Sequence, residues 1–278
     1  DVGDFSHLTF FEMVGNFSFG GYFKEKAIPL SFELLTSEKG LGLDPKKIFV
    51  TAFKGDEEVP RDDEAIKLWQ EQFKSVGIEA KIDERIFLYG REKNWWEAGI
   101  GPAGPDAEMF YDFGTPHDIK FGPTCHPNCG CGRFVEIGND VFVQYNKKFD
   151  GTYESLTQRS IDNGRGLERL AMVTQGKRNI FETDLFSPFI ELLPRELPEN
   201  IKRIIVDHVR GSAFLLADGV RPSNKEAGYI LRRLMRRIFV YEHKYKIAIH
   251  IVDALLHDIV HEYGGFYKGL LKENETIR

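Results

Sequence analysis

The run from Ser160 to Leu170, SIDNGRGLERL, sets an acid, two glycines and an arginine close together in the chain. Asp162 is followed by Gly164 and Gly166, and then by Arg169. Glycines let a flat nucleotide lie against the main chain. The start of a following helix favours negative charge. The planar guanidinium of Arg169 suits a phosphate or the face of an adenine ring. On its own the run also reads as a plain glycine turn carrying a surface charge pair. A second constellation is Cys125-His126-Pro127-Asn128-Cys129-Gly130-Cys131, which holds all three cysteines. The spacing C-H-x-x-C-x-C allows a compact thiolate site, a structural zinc site, with His126 or a more distant group as fourth ligand. The alternative is a Gly/Pro-rich hairpin tip with reduced thiols. An odd, clustered set of cysteines does not make a secreted disulfide framework, so a cytoplasmic location is expected. His257 and His261 stand four apart on a predicted helix, but without the acid of an H-E-x-x-H arrangement they do not read as a metal pair.

Charge separates the chain into two parts. Residues 201–246 hold 11 Lys and Arg against 4 Asp and Glu, a local +7 in a chain of net −6. Such a segment suits a polyanion as well as it suits a solvated helix face. Arg232, Arg233, Arg236 and Arg237 fall on adjacent turns of it. With 42% hydrophobic and 29% charged residues the chain is not of disordered composition, and no apolar run reaches membrane-spanning length.

These groups need elements to position them. Residues 8–19 read as an aromatic-rich strand, 27–38 and 62–77 as helices, and 47–53 and 85–89 as short strands. Residues 94–106, crowded with Gly and Pro, read as an irregular loop. Strands are expected at 108–113, 134–137 and 140–146. A helix over 164–174 follows a glycine turn, and helices are expected at 200–217, 227–245 and 249–263. The fold class is α+β, with domains at 1–190 and 191–278.

Several runs resemble one family in order along the chain. HLTFFEMVGNFSFG at 7–20 resembles the second strand of motif 2 of alanyl-tRNA synthetases, and GRGLERL at 164–170 resembles motif 3 of the class II enzymes. VPRDDEA at 59–65, NWWE at 94–97 with GPAGP at 101–105, EIGNDVFVQYN at 136–146, and ADGVRPSN at 217–224 with GYILRR at 228–233 resemble further stretches of that family. The resemblance implies an antiparallel-sheet class II catalytic domain, N-terminally incomplete, followed by an α-helical tRNA-recognition domain. Motif 1 and the motif 2 arginine would lie upstream of Asp1, so the residues present would by themselves lack a phosphate contact. The implied activity is alanine activation with ATP and Mg²⁺, then transfer to tRNA(Ala).

Roles carry over position by position. Trp96, Asn139 and Asp162 would hold alanine. Leu8, Trp96, Ile137, Gly138, Asn139, Gly166 and Arg169 would contact ATP. Asn224, Arg232, Arg233 and Arg236 would contact tRNA. Glu12 and Glu108 are candidates for polar or metal contacts near the triphosphate, or for structural hydrogen bonds. Three positions depart from the family pattern: Leu8 replaces a second histidine, Gly138 a tryptophan and Ala103 a cysteine. A degenerate paralogue that binds tRNA or an adenylate without activating alanine is the alternative. A trans-editing hydrolase is disfavoured because motif 3 is present and its zinc module is not.

Overall fold

Burial alternates residue by residue at the end of the strand that carries Asp162. In the computed structural model, which describes residues 2–277, Ile161, Asn163 and Arg165 are buried while Asp162, Gly164 and Gly166 are partly open. That period of two defines a sheet with one covered face and one accessible face. The chain divides into two compact units, Glu12–Gly176 and Asp1–Phe11 with Lys177–Arg278.

The unit Glu12–Gly176 contains β1 (Met13–Phe19), α1 (Lys24–Thr36), β2 (Ile48–Phe53), α2 (Asp63–Ser75), β3 (Ile86–Tyr89), α3 (Arg91–Asn94), β4 (Trp95–Glu97), β5 (Gly101–Asp112), β6 (Phe134–Lys147), β7 (Tyr153–Gly166) and α4 (Leu167–Thr174). Its seven-stranded sheet has the order β1-β7-β6-β5-β2-β3, with β4 paired to β5. All pairings are antiparallel except β2 with β3, so the sheet is mixed rather than purely antiparallel. α2 begins on Asp62, whose carboxylate accepts from Ala65 N at 3.1 Å and from Lys24 Nζ of α1 at 2.7 Å. The two helices lock through Phe32, which meets the Trp69 and Phe73 rings edge-on at 6.4 and 5.4 Å.

Three expectations for this unit are overturned. Residues 94–106 are not an irregular loop: they supply the end of α3, all of β4 and the first half of β5. The glycine that looked like a breaker is what admits the strand. A Cβ on Gly104 would run into the carbonyl of Phe142 on β6, so only glycine allows this approach. Pro105 falls where the β5–β6 register shifts, between Ala103 and Asp106, while Pro102 stays in register opposite Asn146. Residues 164–166 are not a turn: they close β7, with Gly164 opposite Gly15 and Gly166 opposite Met13. β6 is one strand where two were expected, because a register shift near Ile137 lets it bend without breaking.

The other unit contains α5 (Ser187–Glu191), α6 (Glu199–Ala217), α7 (Glu226–Tyr245), α8 (Ile249–Gly264), α9 (Lys268–Lys272) and α10 (Asn274–Ile277). The long helices agree with the expected spans to within a residue. This compact unit takes in Lys177–Arg278 together with the chain's first residues. Residues 8–12 are therefore not strand. Thr9 donates instead to the buried Asp207 of α6, from its N at 2.8 Å and its Oγ1 at 2.7 Å. The Arg210 guanidinium lies among the rings of Phe10, Phe186 and Tyr263 at 4.8–5.2 Å and donates to Phe10 O at 3.1 Å. No helix among the described residues is long and apolar enough to cross a membrane.

Candidate active site

Strand register assembles a polar row across the accessible face. Glu108 on β5 stands opposite Asn139 on β6, and Asn139 stands opposite Gly164 on β7, which stands opposite Gly15 on β1. The neighbouring rung pairs Asp162 with Val141 on one side and with the exposed Phe17 on the other. Asn139, Asp162, Gly164 and Gly166 thus share a surface, because residues opposite or two apart on a sheet face the same way.

A fully buried amide ties this row to the element carrying Trp96. Asn94 Nδ2 donates to Thr51 Oγ1 at 2.7 Å and to Asp106 Oδ1 at 3.0 Å. Asn139 Nδ2 reaches the other oxygen, Asp106 Oδ2, at 3.3 Å, while Thr51 Oγ1 donates to Glu108 Oε2 at 3.3 Å. Asn139 Oδ1 is buried and has no hydrogen-bond partner among the described residues. It is an acceptor short of a donor, next to the open row. Trp96 is half-buried on β4 opposite Gly104. Its strand is pinned by Glu97, which accepts from Trp95 Nε1 at 3.0 Å, Tyr153 Oη at 2.6 Å and Lys147 Nζ at 2.5 Å.

Burial pushes the Asp106 carboxyl up to about 7, helped by the charges of Glu136 and Asp140 and only partly opposed by the Asn94 and Asn139 amides. Burial likewise pushes Glu108 up to about 8, with Glu136 and Asp106 adding repulsion. Two adjacent acids kept from full ionisation near neutral pH are characteristic of a site that awaits a positive charge.

The covered face carries its own network. Arg165 Nη2 donates to Asp140 Oδ1 at 3.0 Å and Nη1 to Asn16 Oδ1 at 3.3 Å, and Ser31 of α1 donates to Asp140 at 3.0 Å. Gly138 belongs to this side: a Cβ there would meet Arg165 Cγ at 2.7 Å. The tryptophan expected from the family pattern is excluded by the arginine beneath it. Gly138 can therefore offer a ligand only its main chain.

At the start of α4, Arg169 Nη1 donates to Glu136 O at 2.9 Å and Oε2 at 3.0 Å. The buried Glu168 carboxylate accepts from Glu12 N at 3.1 and 3.2 Å, and Leu167 N donates to Glu12 O at 2.8 Å. Glu12 thus anchors α4 through its main chain and is not brought to Glu108. Ile137 is buried at the register shift, and Leu8 lies in the segment that belongs to the helical unit. In that unit Asn224, Arg232, Arg233 and Arg236 are all exposed, and Arg232 Nη1 donates to Asn224 Oδ1. The fourth residue beside the cysteines is His117, not His126. His126 Nδ1 is instead bonded to Tyr89 Oη at 2.7 Å.

The sequence reading missed Thr51, Asp106 and the Arg165–Asp140 pair. Asp106 and Glu108, two apart before an apolar stretch, carried the signal of two acids on one strand face, which the Gly/Pro-rich surroundings masked.

The family model of the tRNA synthetases class II (A) matches residues 1–278. The alanine–tRNA ligase of Treponema denticola is 43% identical over all of this chain and 46% of its own length. That of Borreliella afzelii is 40% identical over all of the chain and 47% of its length, and that of Rubrobacter xylanophilus is 42% identical over all of the chain and 32% of its length. The chain spans less than half the length of these curated relatives. With its sheet, its glycine-floored row and the full-length family match together, the chain belongs to the tRNA synthetases of class II (A).

Proposed function

We propose that this chain carries the aminoacylation site of an alanine–tRNA ligase. The observation that carries the reading is Asn139 Oδ1, a buried acceptor without a donor, set in a row with Asp162 and Glu108. A small α-ammonium supplies the missing donor, and the charge of Asp162 stands opposite it. Trp96 closes the pocket against larger side chains. A methyl group gives little to hold, so serine and glycine are excluded weakly.

The glycines at 164 and 166 form a floor on which the nucleotide lies, with Gly138 contributing main chain. Arg169, steadied by Glu136, faces phosphate or adenine. Ile137 is buried at the register shift beside Gly138. Glu108 and Glu136 would supply hard oxygen donors for Mg²⁺ together with the substrate phosphates, and the ion would neutralise charge on those phosphates.

The alanine carboxylate attacks the α-phosphorus of ATP and pyrophosphate leaves. The tRNA 3′-terminal ribose hydroxyl then attacks the carbonyl of the adenylate and AMP leaves. Neither step uses a covalent enzyme nucleophile; orientation and charge placement supply the acceleration. In the helical unit, Asn224 and the exposed Arg232, Arg233 and Arg236 form a tRNA(Ala) contact surface, positioning the duplex through its phosphates. Alanine-dependent ATP–pyrophosphate exchange by the full-length protein tests the proposal. Measurable tRNA binding without exchange would favour a non-activating paralogue.

A further inference from the structure

The residues 113–133 that join β5 to β6 form an extended connection with a single short 3₁₀ turn, Ile119–Phe121. Within it only Pro127 and Cys129 are buried, while Ile119 and Phe121 are exposed at 78% and 52%. Such a segment has no apolar core of its own to order it. Its base is closed by Arg133, which donates to both Asp112 oxygens at 2.8 and 2.7 Å. Its tip needs another device.

That device is visible in the side chains. One ligand atom from each of His117, Cys125, Cys129 and Cys131 lies within 4.8 Å of the other three. Cys125 Sγ and Cys131 Sγ are 3.6 Å apart, and Cys129 Sγ is 3.7 Å from His117 Nδ1. With zinc–sulfur bonds of about 2.3 Å and zinc–nitrogen bonds of about 2.0 Å, the edges of a tetrahedron are about 3.8 and 3.5 Å. Both separations fall at those edges, and the sulfur pair is much too far apart for a disulfide, for which the bond is about 2.05 Å. The imidazole is also set for the role. His117 Nε2 donates to Gly122 O at 2.8 Å, which leaves Nδ1 as the lone-pair nitrogen facing the cysteines. Three thiolates and an imidazole select zinc over the hard, oxygen-seeking cations.

We infer that His117, Cys125, Cys129 and Cys131 form a closed, structural zinc site that orders the β5–β6 connection. All four positions are taken by protein, so the ion has no open site for substrate. His126 stands outside the ligand set and ties the same tip to Tyr89 of β3. The site is independent of the alanine pocket, although it orders the hairpin whose strands carry Glu108 and Asn139.

The test is metal content. After incubation with zinc and desalting, the protein is expected to hold one zinc per chain more than its Cys129→Ser variant. Cobalt(II) in place of zinc is expected to show tetrahedral ligand-field bands and thiolate-to-cobalt charge transfer. His117→Ala should lose the metal, His117→Cys should regain it with stronger charge transfer, and His126→Ala should keep it. If Cys129→Ser does not fold, the unaltered protein suffices: a mercurial that titrates the thiols should release zinc in step with them. Equal zinc in the protein and Cys129→Ser overturns the inference, as do thiols that titrate without metal release. Zinc kept by His117→Ala but lost by His126→Ala overturns the ligand assignment.

Discussion

Arg165 of β7 and Asp140 of β6 form a fully buried ion pair, 3.0 Å long, on the side of the sheet opposite the polar row. It fastens together the two strands that carry Asn139 and Asp162. Removing one partner leaves an uncompensated buried charge. Asp140→Ala is expected to cost about 3–5 kcal/mol in urea unfolding, and Asp140→Leu with Arg165→Met should recover much of it. A loss well under about 1 kcal/mol would show the pair to be idle.

The raised acids make stability depend on pH. The folded chain keeps protons on Asp106 up to about 7 and on Glu108 up to about 8. The unfolded chain has already released them at its ordinary carboxylate values of 3.8 and 4.5. Their contribution is whole below those unfolded values and is lost as pH rises through the folded ones. The slope is at most about 1.4 kcal/mol per pH unit for each group. Asp106→Asn should flatten the profile between the two limits. Alanine binding should release protons, seen as a buffer-dependent calorimetric heat; no buffer dependence at pH 7 would count against an ammonium at this row.

Asn139→Ala should raise the KM for alanine about 10- to 100-fold, the worth of one charge-assisted hydrogen bond. The KM for ATP should move less. An equal rise in both would place Asn139 elsewhere in the reaction.

Two glycines should respond in opposite ways. A side chain at Gly164 would meet chiefly the flexible end of Met13, at 3.0 Å, so Gly164→Val should fold and bind ATP poorly. Gly104→Ala strikes main chain and should lower the unfolding midpoint before any kinetic constant changes.

Replacing Arg232, Arg233 and Arg236 by Ala should weaken tRNA binding and reduce its salt slope by about one for each phosphate no longer neutralised. Alanine-dependent exchange should be unaffected, since none of the three is among the residues proposed to hold alanine or ATP. A loss of exchange would point to damage in the helical unit.

Helices were legible because their apolar stripes are local: Leu231, Leu234 and Ile238 recur on one face of α7 and are buried there. Residue type alone singled out Asp162 and Asn139, and the strand register sets them on one face of the sheet. It was hidden where a non-local contact decided. Gly104 and Gly164 read as turn formers until β6 and β1 are seen beside them. The cysteine spacing left a thiolate site and a plain hairpin tip both open, and only the fold sets His117 beside the thiols and His126 against Tyr89.

The alternation along β7 limits how this protein can be altered. One residue inserted or deleted between Ile161 and Gly166 would turn Asp162 and Gly164 inward and bring Asn163 and Arg165 out, exchanging pocket for core in a single step. The tip at the exposed Phe149 and Asp150 is free of that parity. Tags, loop grafts and length variants therefore belong there, and β7 itself admits substitution but no change in length.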